Sequence, residues 1–271
     1  MPTSIRPEPV PPGAVTSRTI GVLGRGRMGS ALARALALDG RRVLIAGRRY
    51  PARPDPPPPS ARVHLVPAAT VVAEADPLVL MLPFAAVLEL ARAGLLQAGQ
   101  GRTMVDATNP PAAGVPCHPR AGGRLLAELL PQWHVVKALN TVPAGMLGRP
   151  VLDGRPVTVP LAGDHPPAKA QVAALLCGLG FVPVDVGGID RAPALESLAD
   201  LLMAIDSRHS LGGRLGFQLG LAEPMPAQNC GPGSGTALLR RPAEAFDGSS
   251  APGALRCGKH AITTRSAAQT E

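Results

Sequence analysis

Aromatic side chains are nearly absent from this chain: four Phe, one Trp and one Tyr in 271 residues, or 2%. A core must therefore be built from Leu, Val and Ala, and a hydrophobic content of 45% is enough for a large one. The same scarcity argues against a nucleic-acid partner, because no basic stripe is interleaved with stacking rings. Cysteine is sparse as well. Cys117, Cys177, Cys230 and Cys257 form no C-x-x-C pair and have no His at zinc-finger spacing beside them. That pattern points to reduced thiols in a cytoplasmic protein and away from a zinc site. The longest apolar run, 78–90, is too short to cross a bilayer and contains Pro83, so no membrane partner is expected. Residues 1–17 hold five prolines and no apolar stretch of the signal-peptide kind.

Acidic residues are the minority charge, 19 against 27 basic ones, for a formal net charge of +8. A basic surplus favours anionic partners; a genome that favours Arg over Lys codons leaves the same surplus. Catalytic clusters are missing too. No Ser-His-Asp order can be argued, no H-x-x-x-H occurs, and no tight carboxylate pair is expected at a strand tip. His64, His118, His134, His165, His209 and His260 are scattered, and His118 and His134 read as structural. No catalytic side chain is assigned. This absence is compatible with a hydride shuttle, which needs two held rings with donor and acceptor carbons about 3–3.5 Å apart rather than a side-chain acid.

What is present is an alternation of strand and helix from residue 19 to about 206. Strands are expected at 19–23, 42–46, 63–66, 78–82, 103–106, 135–139, 157–161 and 181–186. Helices are expected at 27–39, 68–75, 85–96, 124–130, 167–179 and 193–205, and a closing edge strand at 214–219. The order implies βαβ units: an α/β, Rossmann-like domain with a mostly parallel sheet and helices on both faces. It occupies 18–220, between a Pro-rich leader, 1–17, and a Gly/Ser/Pro-rich tail, 221–271, both expected to be disordered.

The most informative stretch is Ile20-Gly-Val-Leu-Gly-Arg-Gly-Arg-Met-Gly29. An apolar strand runs into Gly24-x-Gly26-x-x-Gly29 and then a helix. In this dinucleotide fingerprint Gly24 makes the tight turn, Gly26 admits a pyrophosphate, and Gly29 lets helix and strand pack closely. Arg25 and Arg27 add positive charge beside that loop. About twenty residues on, where an acid would hold the ribose hydroxyls of NAD, the chain reads Gly47-Arg48-Arg49. Two guanidiniums and no carboxylate favour the 2′-phosphate of NADP, although a solvated basic turn would read the same way. The further wall of the crevice falls to Leu82-Pro83-Phe84 after the fourth strand, Asn109 after the fifth and Asn140 after the sixth. Phe84 could flank a nicotinamide ribose or simply pack in the core. Asn109 and Asn140 could bond a carboxamide or close Asx turns.

With these segments, and with Val135-Val-Lys-Ala-Leu-Asn-Thr-Val-Pro143, Ala162-Gly163-Asp164, Gly180–Gly187 and Leu195-Glu196-Ser197-Leu198, the chain resembles the NADPH-dependent coenzyme F420 reductases, the F420-dependent NADP oxidoreductase family. The resemblance spans about 19–220. Its specific part is the V-V-K-A-x-N-T-V-P segment together with A-G-D; the glycine loop alone is shared with pyrroline-5-carboxylate reductases and other dehydrogenases. The resemblance implies one Rossmann-like domain, often a homodimer, that moves a hydride between NADPH and a deazaflavin as second substrate. It places the phosphate loop on Arg25, Gly26, Arg27 and Met28, beside Gly24. It places the 2′-phosphate contact on Gly47 and Arg48 with Arg49 adjacent, the nicotinamide wall on Pro83 and Phe84, and the cleft floor on Ala138 and Asn140. Two other readings stay open. One is an NADPH-dependent reductase of a small imine or carbonyl, which usually adds a helical dimerisation domain that the polar tail does not supply. The other is an NADP-binding module without turnover.

Overall fold

Four consecutive apolar residues, Ile20–Leu23, form β1, buried on both faces at the middle of an eight-stranded sheet. The computed structural model describes residues 19–47, 61–111 and 122–220. The Pro-rich loop, Arg48, Arg49, Cys117, His118 and both terminal segments lie outside them. Helix α1 (Arg27–Leu38) carries the chain from β1 to β2 (Val43–Ala46), and β3 (Val63–Leu65) extends that side of the sheet. Helix α2 (Ala68–Glu74) then crosses back, so that β4 (Leu78–Leu80) pairs with the free side of β1. From there α3 (Phe84–Arg92), β5 (Thr103–Asp106), α4 (Gly122–Leu129) and β6 (His134–Lys137) continue outward. The reversal between β1 and β4 is the topological switch point, where such sheets bind their ligands.

After β6 the chain makes only a short turn at Ala144–Met146 and a small hairpin, β7 (Val151–Leu152) and β8 (Arg155–Pro156). No crossover helix intervenes, so β9 (Thr158–Gly163) returns antiparallel to β6. Helix α5 (Pro166–Gly178) then restores the parallel sense for β10 (Val182–Asp185), and α6 (Ala192–His209) ends the domain. The final order is β10-β9-β6-β5-β4-β1-β2-β3. The expected fold class therefore holds, with one antiparallel joint in a mostly parallel sheet.

Two apolar clusters cover the faces of the sheet. One gathers α1 and α5 residues such as Leu32, Leu36, Val172 and Leu176; the other gathers Val71, Val87, Leu88, Leu125 and Leu126 from α2, α3 and α4. Leu, Val and Ala dominate both, as the aromatic scarcity requires.

Two sequence expectations change, and one element was not anticipated. Residues 214–219 do not form a strand: Thr158 N–H donates to the Phe217 carbonyl, but Gly216 lies within the segment and no ladder develops. The β7–β8 hairpin has strands too short to show alternation. Helix α3 stops early because Gly94 takes a left-handed φ of 77°, and a 3-10 turn at Leu95–Ala98 follows. The apolar spacing in α6 is real, yet only its first half is covered: Leu195 is buried, whereas Leu201 is 57% exposed.

Candidate cofactor-binding site

The glycine loop has the shape its spacing demands. Gly24 has a φ of 121°, and a β-carbon there would strike the backbone of Met81 in the turn after β4. A β-carbon on Gly29 would strike the Gly24 carbonyl, so α1 can approach β1 only through this glycine. Gly26 differs: a β-carbon would meet nothing within 4 Å. It is exposed, it stands at the N-cap of α1, no side chain caps that helix, and no acid occupies its first turn. An uncapped twelve-residue helix pointing its free amides into open space beside a glycine is a cradle for a phosphate group. Arg25 is half-buried and Arg27 exposed at its rim, and Met28 packs on the core behind it. Gly47 closes the near side, its Cα so close to Arg25 that a β-carbon would stand 2.7 Å from Arg25 Cβ. These residues fit a dinucleotide pyrophosphate.

Across the switch point the tips of β4, β5 and β6 form the other half. Pro83 is exposed. Phe84 begins α3 and is 3% exposed, with its ring against the start of α4, where a β-carbon on Gly122 would lie 2.8 Å from it. Its observed contacts are those of core packing. Ala138 is fully buried beneath the tip of β6. The next residue, Leu139, has a φ of 64°, a left-handed conformation costly for a bulky side chain. This turn brings Asn140 against Asn109. Asn109 Nδ2 donates to the Asn140 carbonyl at 3.0 Å, and Asn140 Nδ2 donates to Asn109 Oδ1 at 3.1 Å and to the Leu195 carbonyl at 2.9 Å. The two asparagines thus clasp β5 to β6 and to α6. Asn140 Oδ1 and the neighbouring Thr141 Oγ1 are buried without a hydrogen-bond partner. A buried acceptor left unpaired costs stability until a donor reaches it.

Beneath the clasp lies a feature the sequence reading missed. Asp106 and Lys137 are cross-strand neighbours at the ends of β5 and β6. Lys137 Nζ donates to Asp106 Oδ2 at 2.9 Å and to the Thr108 carbonyl at 2.5 Å, and it stands 2.9 Å from Glu196 Oε1. Asp106 Oδ1 accepts from Thr108 N–H and Oγ1–H. Glu196 accepts from the backbone N–H groups of Gly122 and Gly123, at 3.2 and 3.1 Å, at the start of α4. No tight carboxylate pair was expected at a strand tip; the fold brings Asp106 and Glu196 onto one lysine. The available signal was Lys137 itself, one of only three lysines among 27 basic residues, set inside the apolar run Val135-Val136-Lys137-Ala138-Leu139. A lysine there must be paired.

His134 and His165 lie away from this crevice. His134 begins β6, at the end of the strand away from Asn140, and stacks on His165 with ring centroids 3.6 Å apart and planes within 5°. The pair lines a cavity of about 320 Å³ with Asp76, Thr103 and Gln171. Burial first, and the His165 ring second, hold His134 below its ordinary pKa of 6.5, against a smaller upward pull from Asp76. The unfolded chain therefore binds more protons below that value, and the contribution of neutral His134 to stability is lost as pH falls from about 6.5 through the folded pKa. Urea midpoints of the wild type should drop over that window. His134→Gln should flatten the drop, and an unchanged pH profile in that variant would remove His134 as its source.

Residues 19–110 match the family model for coenzyme F420-dependent NADP oxidoreductases. A solved protein from Arthrobacter sp. FB24, provisionally named an F420-dependent NADP-reductase, is 30% identical with a TM-score of 0.66; the alignment covers 75% of this chain and 100% of that one. The metalloreductase STEAP3 of Rattus norvegicus is 29% identical over 187 residues, 66% of this chain and 36% of that protein, so the chain spans about a third of the length of this curated relative. An imine reductase from Myxococcus stipitatus, solved with NADP+, shares the fold at a TM-score of 0.55 and 20% identity, over 71% of this chain and 63% of that one. Among the described residues no helix is long and apolar enough to cross a membrane, and no group of three or more His, Cys, Asp or Glu could hold a metal ion.

Proposed function

The chain belongs to the coenzyme F420-dependent NADP oxidoreductase family, and from that membership we propose that it transfers a hydride between NADP(H) and coenzyme F420, a deazaflavin. The observation that carries this reading is the empty-sided cradle at Gly26, across the switch point from the unpaired Asn140 Oδ1. The amides at the start of α1 would take the pyrophosphate. Arg48 and Arg49 would grip the 2′-phosphate by charge-assisted, bidentate bonds, with no acid to repel it. Asn140 Oδ1 would accept from the carboxamide of the nicotinamide. When bound, NADPH supplies the hydride and the deazaflavin accepts it. The residues around the crevice need only hold two planar rings in contact and keep water out. A net charge of +8 suits two polyanionic cofactors.

The direct experiment mixes purified full-length protein, NADPH and F420 and follows both absorbance bands. Concerted decay of the two is the expected result. Flat traces from a folded sample that binds NADPH would end the deazaflavin assignment while leaving the NADP assignment in place. The latter has its own check. Arg48→Asp should reduce the preference for NADP+ over NAD+ by roughly 10- to 100-fold, the worth of one or two charge-assisted hydrogen bonds. Calorimetric titration with both nucleotides measures this, and an unaltered preference would sink the arginine clasp.

A further inference from the structure

Among the described residues the charged side chains that are buried are three, Asp106, Lys137 and Glu196, and all three meet at one nitrogen. Two carboxylates face one ammonium, so the cluster holds one negative charge in excess. It lies directly under the tips of β5 and β6. Asp106 leads into Thr108 and Asn109, and Lys137 into Leu139 and Asn140, while the Leu195 carbonyl beside Glu196 accepts from Asn140. β5 is two strand spacings from β1, about 10 Å from the phosphate loop toward the half of the crevice that takes the nicotinamide. Gly123 shows how tightly the charge is housed: a β-carbon there would lie 3.2 Å from Lys137 Cδ and 3.3 Å from Asp106 Oδ2.

We infer that this buried cluster sets the relative affinity of the site for the two redox forms of the nicotinamide, through its excess negative charge acting on the ring above it. The inference rests on the NADP reading given above. The ring is cationic in NADP+ and neutral in NADPH. A fixed negative charge below it favours the cation, and therefore favours the direction of transfer that leaves NADP+ in the site. Asp106, Lys137 and Glu196 touch neither cofactor in this scheme; they are positioning residues for charge. The amides of Gly122 and Gly123 at the start of α4 offset part of the excess, so the effect is smaller than that of a bare unit charge. A buried unit charge felt through a partly solvated interior changes an equilibrium by severalfold to about tenfold.

The test titrates the full-length protein separately with NADP+ and with NADPH and compares the ratio of the two affinities. Glu196→Gln and Asp106→Asn each remove one negative charge with little change of shape. Each should lower the NADP+ to NADPH affinity ratio by about three- to tenfold. Lys137→Met adds to the excess and should move the ratio the opposite way; where that variant fails to fold, the two carboxylate variants decide. A purely structural role would weaken both nucleotides together and leave the ratio alone, and that result would overturn the inference. Wild-type protein that binds neither nucleotide would overturn the cofactor reading and this inference with it, whereas tight binding with an unmoved ratio would overturn this inference only.

Discussion

Lys137→Met is expected to destabilise the domain by about 3–5 kcal/mol, the usual cost of leaving buried charge without its partner. Lys137 is fully buried, and so is the Asp106 side chain it neutralises. Removing the ammonium leaves two carboxylates facing each other in a site that water does not reach. Thr108 and the start of α4 satisfy some of their lone pairs, but hydrogen bonds from neutral donors do not cancel the repulsion. A domain of ordinary stability has about 5–15 kcal/mol in total, and for a domain of this size the loss is expected to lower Tm by roughly 6–20 °C. The triple variant Lys137→Met, Asp106→Asn, Glu196→Gln should recover much of the loss, because it removes the charges together rather than stranding two of them. Urea midpoints at constant m-value measure both effects. A loss under about 1 kcal/mol in the single variant would show that the carboxylates find other partners.

The second large effect separates two glycines of one loop. Gly24→Ala should lower stability by about 3 kcal/mol, since a φ of 121° is hostile to any β-carbon and the obstacle is the backbone of Met81, which no rotamer change can move. For a domain of this size that is roughly 6–12 °C in Tm. Gly26→Ala should leave Tm within about 2 °C, because Gly26 has an ordinary φ of −78° and open space around its Cα. The same methyl group would nevertheless occupy the cradle at the start of α1. NADPH affinity should then fall by tenfold or more, as the phosphate is pushed off the helix amides. The pair is read by thermal melts and nucleotide titration on the same samples. Full NADPH affinity in Gly26→Ala would mean that the pyrophosphate lies elsewhere.

The elements themselves were largely legible because each depends on contacts within a few residues. Gly24, Gly26 and Gly29 are punctuated by turn geometry, α1 by its apolar spacing, and β4 by an unbroken apolar run. Of the candidate site only the geometry of the glycine loop was legible. Asn140 could be assigned to a strand tip from order alone, but not its clasp with Asn109, which depends on the left-handed turn at Leu139. Phe84 could be placed at the crevice or in the core, and the choice turned on Gly122, a residue far along the chain, packing on its ring.

From the chain of residues alone came the alternation of strand and helix, the glycine loop between β1 and α1, and the Gly47-Arg48-Arg49 stretch that lacks an acid. All three follow from neighbours in sequence, where steric rules and charge act without knowledge of the rest of the fold. The tertiary structure decided the antiparallel return of β9, the stacked His134–His165 pair and the Asp106–Lys137–Glu196 cluster. Lys137 lies 31 residues from Asp106, and Glu196 lies 74 from the Gly122 amide that it accepts from. Such charges are stable in the interior only as a set, and only the completed sheet with α4 and α6 against it brings the set together.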